Sequence, residues 1–247
     1  MDLVLRSSLT TVTATYHLTQ SFRFGAEIAF LANCCLSGLL GVDGPVLVGS
    51  RDIDSVTGCP SVKHDVGKVA VLARTNLRLI SEMVELVCLA GPEDTPKIAF
   101  PNGSENMGWQ MLLNLSHFQS GNIHLIPKES RKNKIYRMGW KNYKQFVEDS
   151  NDVEMLTRIG IVERFGAKLP EYIQKIREHS NYAIHDPQVQ MVFITVHKFK
   201  GLEMGTVRLL DDFAFSGIPY EKPGQNTVRQ GEFNLLYVAL TRAKKRL

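Results

Sequence analysis

The amino-acid sequence predicts an α/β protein with a largely parallel sheet, because short apolar segments typical of strands alternate with segments of helical periodicity. A second observation is the stretch 101–186, whose helical patterns predict a mainly helical insertion. The third is the composition of the 247 residues, 44% hydrophobic and 22% charged, which excludes wholesale disorder. We therefore expect 1–100 and 187–247 to build one sheet domain, interrupted by 101–186.

Four strands and two helices are predicted before residue 101. The strands are 11–18, 45–48, 68–73 and 97–100. Residues 11–18 alternate between two faces, whereas 68–73 is a continuous apolar run typical of a buried strand. One helix is predicted over 24–40, which is apolar at helical spacing and precedes Gly41. The second begins at Asn76, whose side chain can cap its first turn.

Helices dominate the middle of the chain, and strands return near its end. The helices predicted there are 107–118, 153–165 and 170–179. Pro170 favours a helix start, because its fixed φ suits the first turn. Residues 188–196 alternate strongly and predict the clearest strand, and 205–210 predicts another. A last helix is predicted over 232–245, which has apolar residues along one face.

Basic residues are concentrated in two segments. The formal net charge is only +4, yet 127–146 has seven basic residues against one acidic residue. The last seven residues have four basic residues and no acidic one, so the rest of the chain is acidic. Clustered Lys and Arg gain free energy by releasing the counterions of a polyanion, which makes nucleic acid one candidate partner. Such patches also occur by chance in globular domains.

Aromatic residues are interleaved with the basic residues of 128–146, and two interpretations are open. In the first, the stretch follows a nucleic-acid strand, with Tyr136 or Trp140 stacking on bases and the lysines following phosphates. In the second, it is a solvated amphipathic helix whose aromatic residues belong to the core. Because aromatic residues on helices are usually buried, the second interpretation is slightly favoured.

Several kinds of site are excluded by the sequence. It contains no GxxxxGK[ST] phosphate loop, no GxGxxG, no HExxH and no GxSxG, so no autonomous catalytic centre is recognisable. Its four cysteines include no CxxC pair, which disfavours a structural zinc site and a disulfide framework and fits a reducing compartment. No apolar run approaches the length of a membrane span, so no membrane partner is expected.

Three segments have chemistry suited to phosphate. Residues 195–203 (TVHKFKGLE) follow the clearest strand and bring small and basic residues to the edge where α/β proteins bind ligands. In 234–245 (NLLYVALTRAKK), Arg242 follows an apolar helix and can present a rigid guanidinium group to a phosphate. Residues 18–25 (LTQSFRFG) place Arg23 between a strand and a helix.

In this order, the three segments resemble the second RecA-like domain of superfamily 1 helicases of the UvrD/Rep family. The likeness rests mainly on TVHKFKGLE and LLYVALTRAKK and extends over about 16–247. Within the family, LTQSFRFGAEIAF, VLARTN and WKNYKQFVED are similar to segments of F-box DNA helicases. The resemblance implies a RecA-like parallel sheet flanked by helices. One departure is Phe199, which stands where the family usually has a small residue.

The resemblance also implies roles in nucleotide binding. Arg23 and Arg242 match arginines that face the γ-phosphate, where they would stabilise charge developing during phosphoryl transfer. Glu203 matches a residue that contacts the nucleotide ribose or a neighbouring loop, and Gly201 would let the backbone approach closely. Gln20 is the third residue expected to bind the cofactor, which is ATP with Mg²⁺.

Four further residues match positions that contact single-stranded DNA. Thr195 and His197 correspond to positions that touch the DNA backbone, so their segment would couple nucleotide state to DNA contact. Arg74 and Asn76 belong to VLARTN, a motif whose family role is partly structural and partly DNA contact.

The implied function is the C-terminal motor domain of a nuclear ATP-dependent DNA helicase that translocates 3′ to 5′ and acts in DNA repair or recombination. Its implied partners are single-stranded DNA, a first RecA-like domain upstream, and ubiquitin-ligase components recruited through an F-box outside this chain. We expect a fragment of such a protein, inactive alone because the phosphate loop and the Mg²⁺-binding acid are missing. The alternative is a truncated paralogue, a non-catalytic nucleic-acid-binding or protein-interaction module.

Overall fold

The computed structural model describes residues 19–39, 46–50, 52–58, 67–89, 91, 95–101, 103–213 and 227–247. The strand predicted over 11–18 lies outside these residues. The chain divides into two compact units: the first unit is Met1–Arg74 with Thr195–Leu247, and the second unit is Thr75–Ile194. Whether 1–100, 101–186 and 187–247 behave as the predicted domains stays a prediction.

The sheet confirms the predicted α/β class with parallel strands. Its strands are β1 (Val69–Ala73), β2 (Ile98–Ala99), β3 (Met191–Thr195), β4 (Met204–Leu209) and β5 (Ala243–Arg246). They follow the order β2-β3-β1-β4-β5, and the described pairings of β1 with β4, β2 with β3 and β4 with β5 are all parallel. All five residues of β1 and of β3 are buried, as expected for strands covered on both faces.

Helices account for most of the remaining described residues. They are α1 (Ala26–Cys34), α2 (Asn76–Met83), α3 (Trp109–Gln119), α4 (Lys128–Arg131), α5 (Trp140–Asp149), α6 (Val153–Phe165), α7 (Leu169–His179) and α8 (Thr227–Leu240). Two of them continue as π-helical turns, α1 through Cys35–Leu39 and α2 through Val84–Leu89. The described stretch 103–179 contains helices and no strand, which agrees with the predicted helical insertion.

Three local predictions are wrong. Among the described residues of the predicted strand 45–48, only Val48 pairs, in a single bridge to Gln20. The side chain that caps α2 belongs to Thr75, which accepts from the Arg78 N–H, while Asn76 is already helical. The last predicted helix, 232–245, is placed too far along the chain, because α8 already ends at Leu240 and Ala243–Arg246 form β5.

The end of α8 explains how the chain changes from helix to strand. The Thr241 hydroxyl donates to the Tyr237 carbonyl oxygen at 2.9 Å, and Arg242 Nε donates to that of Val238 at 3.0 Å. These side chains satisfy carbonyl groups that the last turn of a helix leaves free. The next residues then pair with β4, and the segment around Ser55 forms a parallel bridge to Arg246.

The start of α1 is fixed against the segment 46–58 of the same unit. Asp54 is buried and accepts from the N–H groups of Glu27 at 3.0 Å and Ile28 at 3.1 Å, which satisfies the free donors of the first turn. A Cβ added at Gly25 would lie 2.2 Å from the Asp52 carbonyl oxygen, so the two segments touch through backbone. This close packing holds the turn that precedes α1, where Arg23 lies.

Candidate functional site

Two cationic side chains of the first unit, Arg23 and Lys244, meet at the carboxylate of Glu203. Arg23 comes from the turn before α1, Glu203 from the loop before β4, and Lys244 from β5. Arg23 Nε donates to Glu203 Oε2 at 2.7 Å, and Lys244 Nζ pairs with the other oxygen, Oε1. The hydrogen bonds from Lys244 and then Arg23 lower the pKa of Glu203 below its usual range. The carboxylate therefore stays ionised and bridges two cations.

Arg242 lies beside this cluster at the end of α8. Its guanidinium Nη1 donates to the Leu202 carbonyl oxygen at 3.3 Å, next to Glu203. Arg23 Nη1 in turn donates to the Thr241 carbonyl oxygen at 3.1 Å, next to Arg242. Burial and, after it, the positive charge of Arg23 lower the pKa of Arg242. The structure thus brings together Arg23, Arg242 and Glu203, which were predicted from segments far apart in the sequence.

An open cavity of about 950 Å³ lies at this cluster. Its lining residues are Ser21, Phe22, Arg23, Asp52, Ile53, Glu203, Lys244 and Lys245. The rings and chains at its rim are unusually exposed for apolar residues, with Phe22 at 81% and Ile53 at 94%. These two side chains add exposed apolar surface to a cavity that is otherwise lined mainly by polar and charged residues.

Among the residues that line the cavity, sequence reasoning selected Arg23 and Glu203 but did not select Phe22, Ile53 or Lys244. Phe22 stands directly before Arg23, and Lys244 stands two residues after Arg242, so both belong to segments already selected for phosphate. A signal for Phe22 was therefore present, namely an aromatic residue beside a candidate phosphate ligand. Ile53 had no signal, since only the packing of 46–58 against the start of α1 brings it to the cavity.

The other two predicted nucleotide residues lie in the same unit. Gln20 is exposed and forms a bridge to Val48. Gly201 has φ +85°, a conformation that L side chains rarely adopt. Among the described residues other than its two chain neighbours, no heavy atom lies within 4 Å of where its Cβ would be. The glycine is therefore required by its own backbone conformation. Phe199, the departure from the family pattern, is buried and belongs to the core.

Arg74 and His197 form a second charged group in the first unit. Arg74 Nε donates to both carboxylate oxygens of Glu232, at 3.0 and 3.1 Å, and its backbone N–H donates to Asp212 Oδ1 at 2.8 Å. His197 is exposed, and partial burial and then the charges of Arg74 and Lys200 lower its pKa. Its imidazole is therefore neutral at neutral pH.

The two remaining predicted DNA residues are placed differently. Thr195 is buried, and its carbonyl oxygen accepts from the N–H groups of Lys198 and Phe199. Asn76 belongs to the second unit, as the first residue of α2, and is half-buried.

Comparison with known proteins identifies the family. The profile of the UvrD-like helicase C-terminal domain matches residues 121–247, which is just over half of the chain. The chain belongs to the UvrD-like helicase C-terminal domain family. The parallel sheet flanked by helices is the RecA-like fold expected of this family.

Two curated relatives match nearly the whole chain of this helicase domain. "F-box DNA helicase 1" of Gallus gallus is 32% identical, over 94% of this chain and 23% of the relative. "F-box DNA helicase protein 1" of Schizosaccharomyces pombe is 28% identical, over 93% of this chain and 26% of the relative. The chain therefore spans about a quarter of the length of these relatives.

Three of the four aromatic rings of the helicase domain's basic stretch, 128–146, pack inward, and the fourth, Phe146, is exposed. Tyr136 and Tyr143 are buried, and both rings contact Phe118, with centroids 5.1 and 5.6 Å from its ring. Trp140 is half-buried and lies edge-on to Phe118 at 5.6 Å. This cluster supports the core interpretation of the aromatic residues, and burial of the Tyr136 ring argues against its stacking on bases.

Most basic side chains of the same stretch point to solvent, whereas Arg131 is half-buried. Those that are exposed are Lys128, Lys132, Lys134, Arg137 and Lys141. Lys144 differs, because its Nζ pairs with both carboxylate oxygens of Glu163, at 2.8 and 3.0 Å. The second unit therefore has a cationic surface above an aromatic core.

Within the described residues, no three His, Cys, Asp or Glu side chains are grouped so that they could hold a metal ion. Across that same part of the chain, every helix is too short or too polar to cross a membrane.

Proposed function

We propose that this chain is the C-terminal motor domain of an ATP-dependent DNA helicase that moves 3′ to 5′ on single-stranded DNA and acts in nuclear DNA repair or recombination. The observation that carries the proposal is the convergence of Arg23, Glu203 and Lys244 at one cavity, from three separate segments, with Arg242 beside them. Family membership supports the same function. The names of the two relatives, both DNA helicases, support it further.

The residues of the cavity fit the chemistry of a nucleoside triphosphate. Within the described residues, Arg23 uses two of its five N–H groups, on Glu203 and Thr241, so the others can be donated to phosphate oxygens. The exposed ring of Phe22 offers a flat apolar face on which a purine base can stack. Arg242, held rigidly by Val238 and Leu202, would stabilise charge on the transferred phosphoryl group.

Part of the proposed ATP site belongs to another domain. Mg²⁺, which neutralises charge on the phosphates, would be held together with the phosphate loop by a first RecA-like domain upstream. In this proposal, the contribution of this chain's described residues is to bind and orient the nucleotide. We therefore propose that the chain hydrolyses ATP only when that domain is joined to it.

We propose that single-stranded DNA is bound near His197, Arg74, Thr195 and Asn76. Support comes from the exposed, neutral His197 ring and from the neighbouring exposed lysines Lys198 and Lys200, which suit a sugar–phosphate backbone. Because both relatives are named F-box proteins, we also propose that the whole protein works with ubiquitin-ligase components.

The test joins this chain to a first RecA-like domain of the same family and measures DNA-stimulated ATP hydrolysis. Arg23→Ala and Arg242→Ala are each expected to lower kcat by about a thousandfold or more, the magnitude typical of arginine fingers. Lys168→Ala, which removes an exposed charge of the second unit outside the stretch 128–146, is the matched control and should leave kcat unchanged. An Arg242-dependent ATPase in the chain without the added domain would contradict the proposal.

A second candidate function is a non-catalytic nucleic-acid-binding module. The exposed lysines of 128–141 favour it, since a cationic surface can bind phosphates without any nucleotide site. It predicts salt-sensitive binding of single-stranded DNA that survives Arg23→Ala combined with Arg242→Ala, and no ATP hydrolysis in the joined protein. If the parent joined protein hydrolyses ATP and these variants do not, the result supports the helicase function.

A further inference from the structure

The carboxylate of Glu203 occupies the position between cations that an anionic ligand would need. Its two oxygens are divided between two partners, Oε2 on Arg23 and Oε1 on Lys244. All three side chains line the cavity and are only about two-fifths exposed, at 36% for Arg23, 38% for Glu203 and 43% for Lys244. A carboxylate held in this way resembles a phosphate group that accepts from two donors at once.

The charges of the cluster are unbalanced even with Glu203 in place. Arg23, Arg242 and Lys244 contribute three positive charges against one negative charge, so an excess of two remains. The pKa of Arg242 is lowered, first by burial and then by the charge of Arg23. The charge of Glu203 offsets part of this effect. A ligand with several negative charges would therefore gain more from the cations than one carboxylate does.

We propose that Glu203 is an internal counter-ion that a polyphosphate displaces, and that Lys244 is thereby released to become a third phosphate-binding cation beside Arg23 and Arg242. This inference rests on the proposed nucleotide site and deepens it, since it assigns Lys244 to the phosphates and makes Glu203 a competitor of the ligand. The ligand class is a nucleoside triphosphate or another polyphosphate of similar charge. No covalent bond changes in this step, because one set of ion pairs is exchanged for another.

The geometry also explains why a competitor is useful in an open cavity. Without Glu203, the two cations would attract any small anion, because the cavity is open to solvent. The carboxylate is exposed enough to be displaced and is paired on both oxygens, so a single weak anion gains little by replacing it. A polyphosphate can pair with all three cations at once, so it gains enough free energy to displace the carboxylate. The arrangement thus favours polyvalent anions over monovalent ones.

The test is calorimetric titration of this chain with tripolyphosphate, which has the charge of the triphosphate but no base or ribose. Glu203→Gln is expected to bind it about three- to tenfold more tightly than the parent, because two exposed ion pairs no longer compete. Lys244→Gln is expected to bind about three- to tenfold more weakly. When Lys244→Gln is already present, Glu203→Gln should increase the affinity for tripolyphosphate by a smaller factor. The reason is that Glu203 then competes with the ligand only for Arg23.

Lys245→Gln is the matched control. Lys245 lines the same cavity and lies in the same strand, but Glu203 is paired with its neighbour Lys244 instead. A loss equal to that of Lys244→Gln would mean that only total charge matters, which would overturn the proposal. A structural readout comes from the ¹³C resonance of the Glu203 carboxyl group, which should move on titration of the parent, because the carboxylate loses both partners.

The outcomes separate this inference from the proposed function. If Arg23→Ala leaves tripolyphosphate binding unchanged, or if even Glu203→Gln shows no binding at millimolar concentration, the phosphate site itself is wrong. If Arg23→Ala weakens binding but Glu203→Gln fails to strengthen it, the phosphate site stands and the counter-ion role of Glu203 is wrong. A carboxyl resonance that does not move during saturable binding would likewise show that Glu203 is not displaced.

Discussion

The two basic regions of this helicase domain look alike in the sequence but are built differently. In the C-terminal region, Lys244 joins Arg23 on one carboxylate, and Arg242 is held beside them by backbone carbonyl groups. In the stretch 128–146, the cations are spread over short helices, and the aromatic rings beneath them pack around Phe118. The first region concentrates charge at a cavity, whereas the second distributes charge over a surface.

A high density of basic residues in the sequence therefore does not determine whether their side chains come together in the structure. Convergence on Glu203 depends on partners far apart in sequence, since 180 positions separate it from Arg23. Within 128–146, the aromatic spacing dictates which faces of the helices are buried, and the lysines are left on the outer faces. A convergent cluster suits a compact, multiply charged ligand, and a distributed one suits a long phosphate backbone.

The largest expected effect tests the aromatic core of the second region. Phe118→Ala should lower the free energy of unfolding by about 3–5 kcal/mol, because a buried ring that contacts three others is removed. Phe146→Ala, at a ring that is 55% exposed, should cost less than about 1 kcal/mol and serves as the control. Denaturant unfolding measures both, and equal costs would refute the core interpretation.

Local signals account for the elements that the sequence predicted well. Helix α6 has its predicted bounds, Val153–Phe165, because Asp152 caps its start and Gly166, with φ +52°, ends it. The prediction failed at Ala243–Arg246, because the polar sequence there has no strand pattern and pairing with β4 and the segment near Ser55 decides its conformation. Such pairing is a long-range effect that local periodicity does not contain.

The candidate site also combines features that sequence motifs predicted with features that depend on long-range packing. Arg23, Glu203 and Arg242 were predicted because their motifs resemble a known family, and the structure brings them together. Physical reasoning on the residues alone selected the segments but not which side chains meet. The pairing of Lys244 with Glu203 and the exposure of Phe22 depend on tertiary packing, so neither followed from the sequence.

A second, smaller effect concerns Arg74 and Glu232, the other convergent pair of the first unit. Glu232 is mostly buried, and Arg74 donates to both of its oxygens. Glu232→Ala should lower the free energy of unfolding by about 2 kcal/mol, because it leaves the guanidinium group half-buried without its partner. A double-mutant cycle with Arg74→Ala should give a coupling energy of about 1–2 kcal/mol. Additive single effects would show that the pair contributes no specific stability.

The distributed charges of the second region should be visible in the salt dependence of DNA binding. Replacing Lys132, Lys134 and Lys141 by Gln should reduce the slope of log K against log salt for single-stranded DNA by about 2, since each phosphate contact contributes about 0.7. Lys144→Gln is the control, because this lysine is already paired with Glu163. A slope that the triple variant leaves unchanged would remove the second region from the DNA-binding surface.

The smallest expected effect is on stability at acid pH and concerns Glu203 again. Its ion pairs lower the pKa of the folded-state carboxyl group, so they stabilise the fold above the unfolded pKa of about 4.3 and are lost as the pH falls through the folded value. Because the pairs are exposed, Glu203→Gln should cost less than about 1 kcal/mol at neutral pH. Thermal melts of the parent and Glu203→Gln should therefore differ slightly at pH 7 and converge as the pH falls through the folded-state pKa of Glu203, where the parent carboxyl group is protonated. Curves that stay parallel down to the acid limit would mean that the paired carboxylate contributes nothing to stability, and its place between the cations would then have to be explained by ligand binding alone.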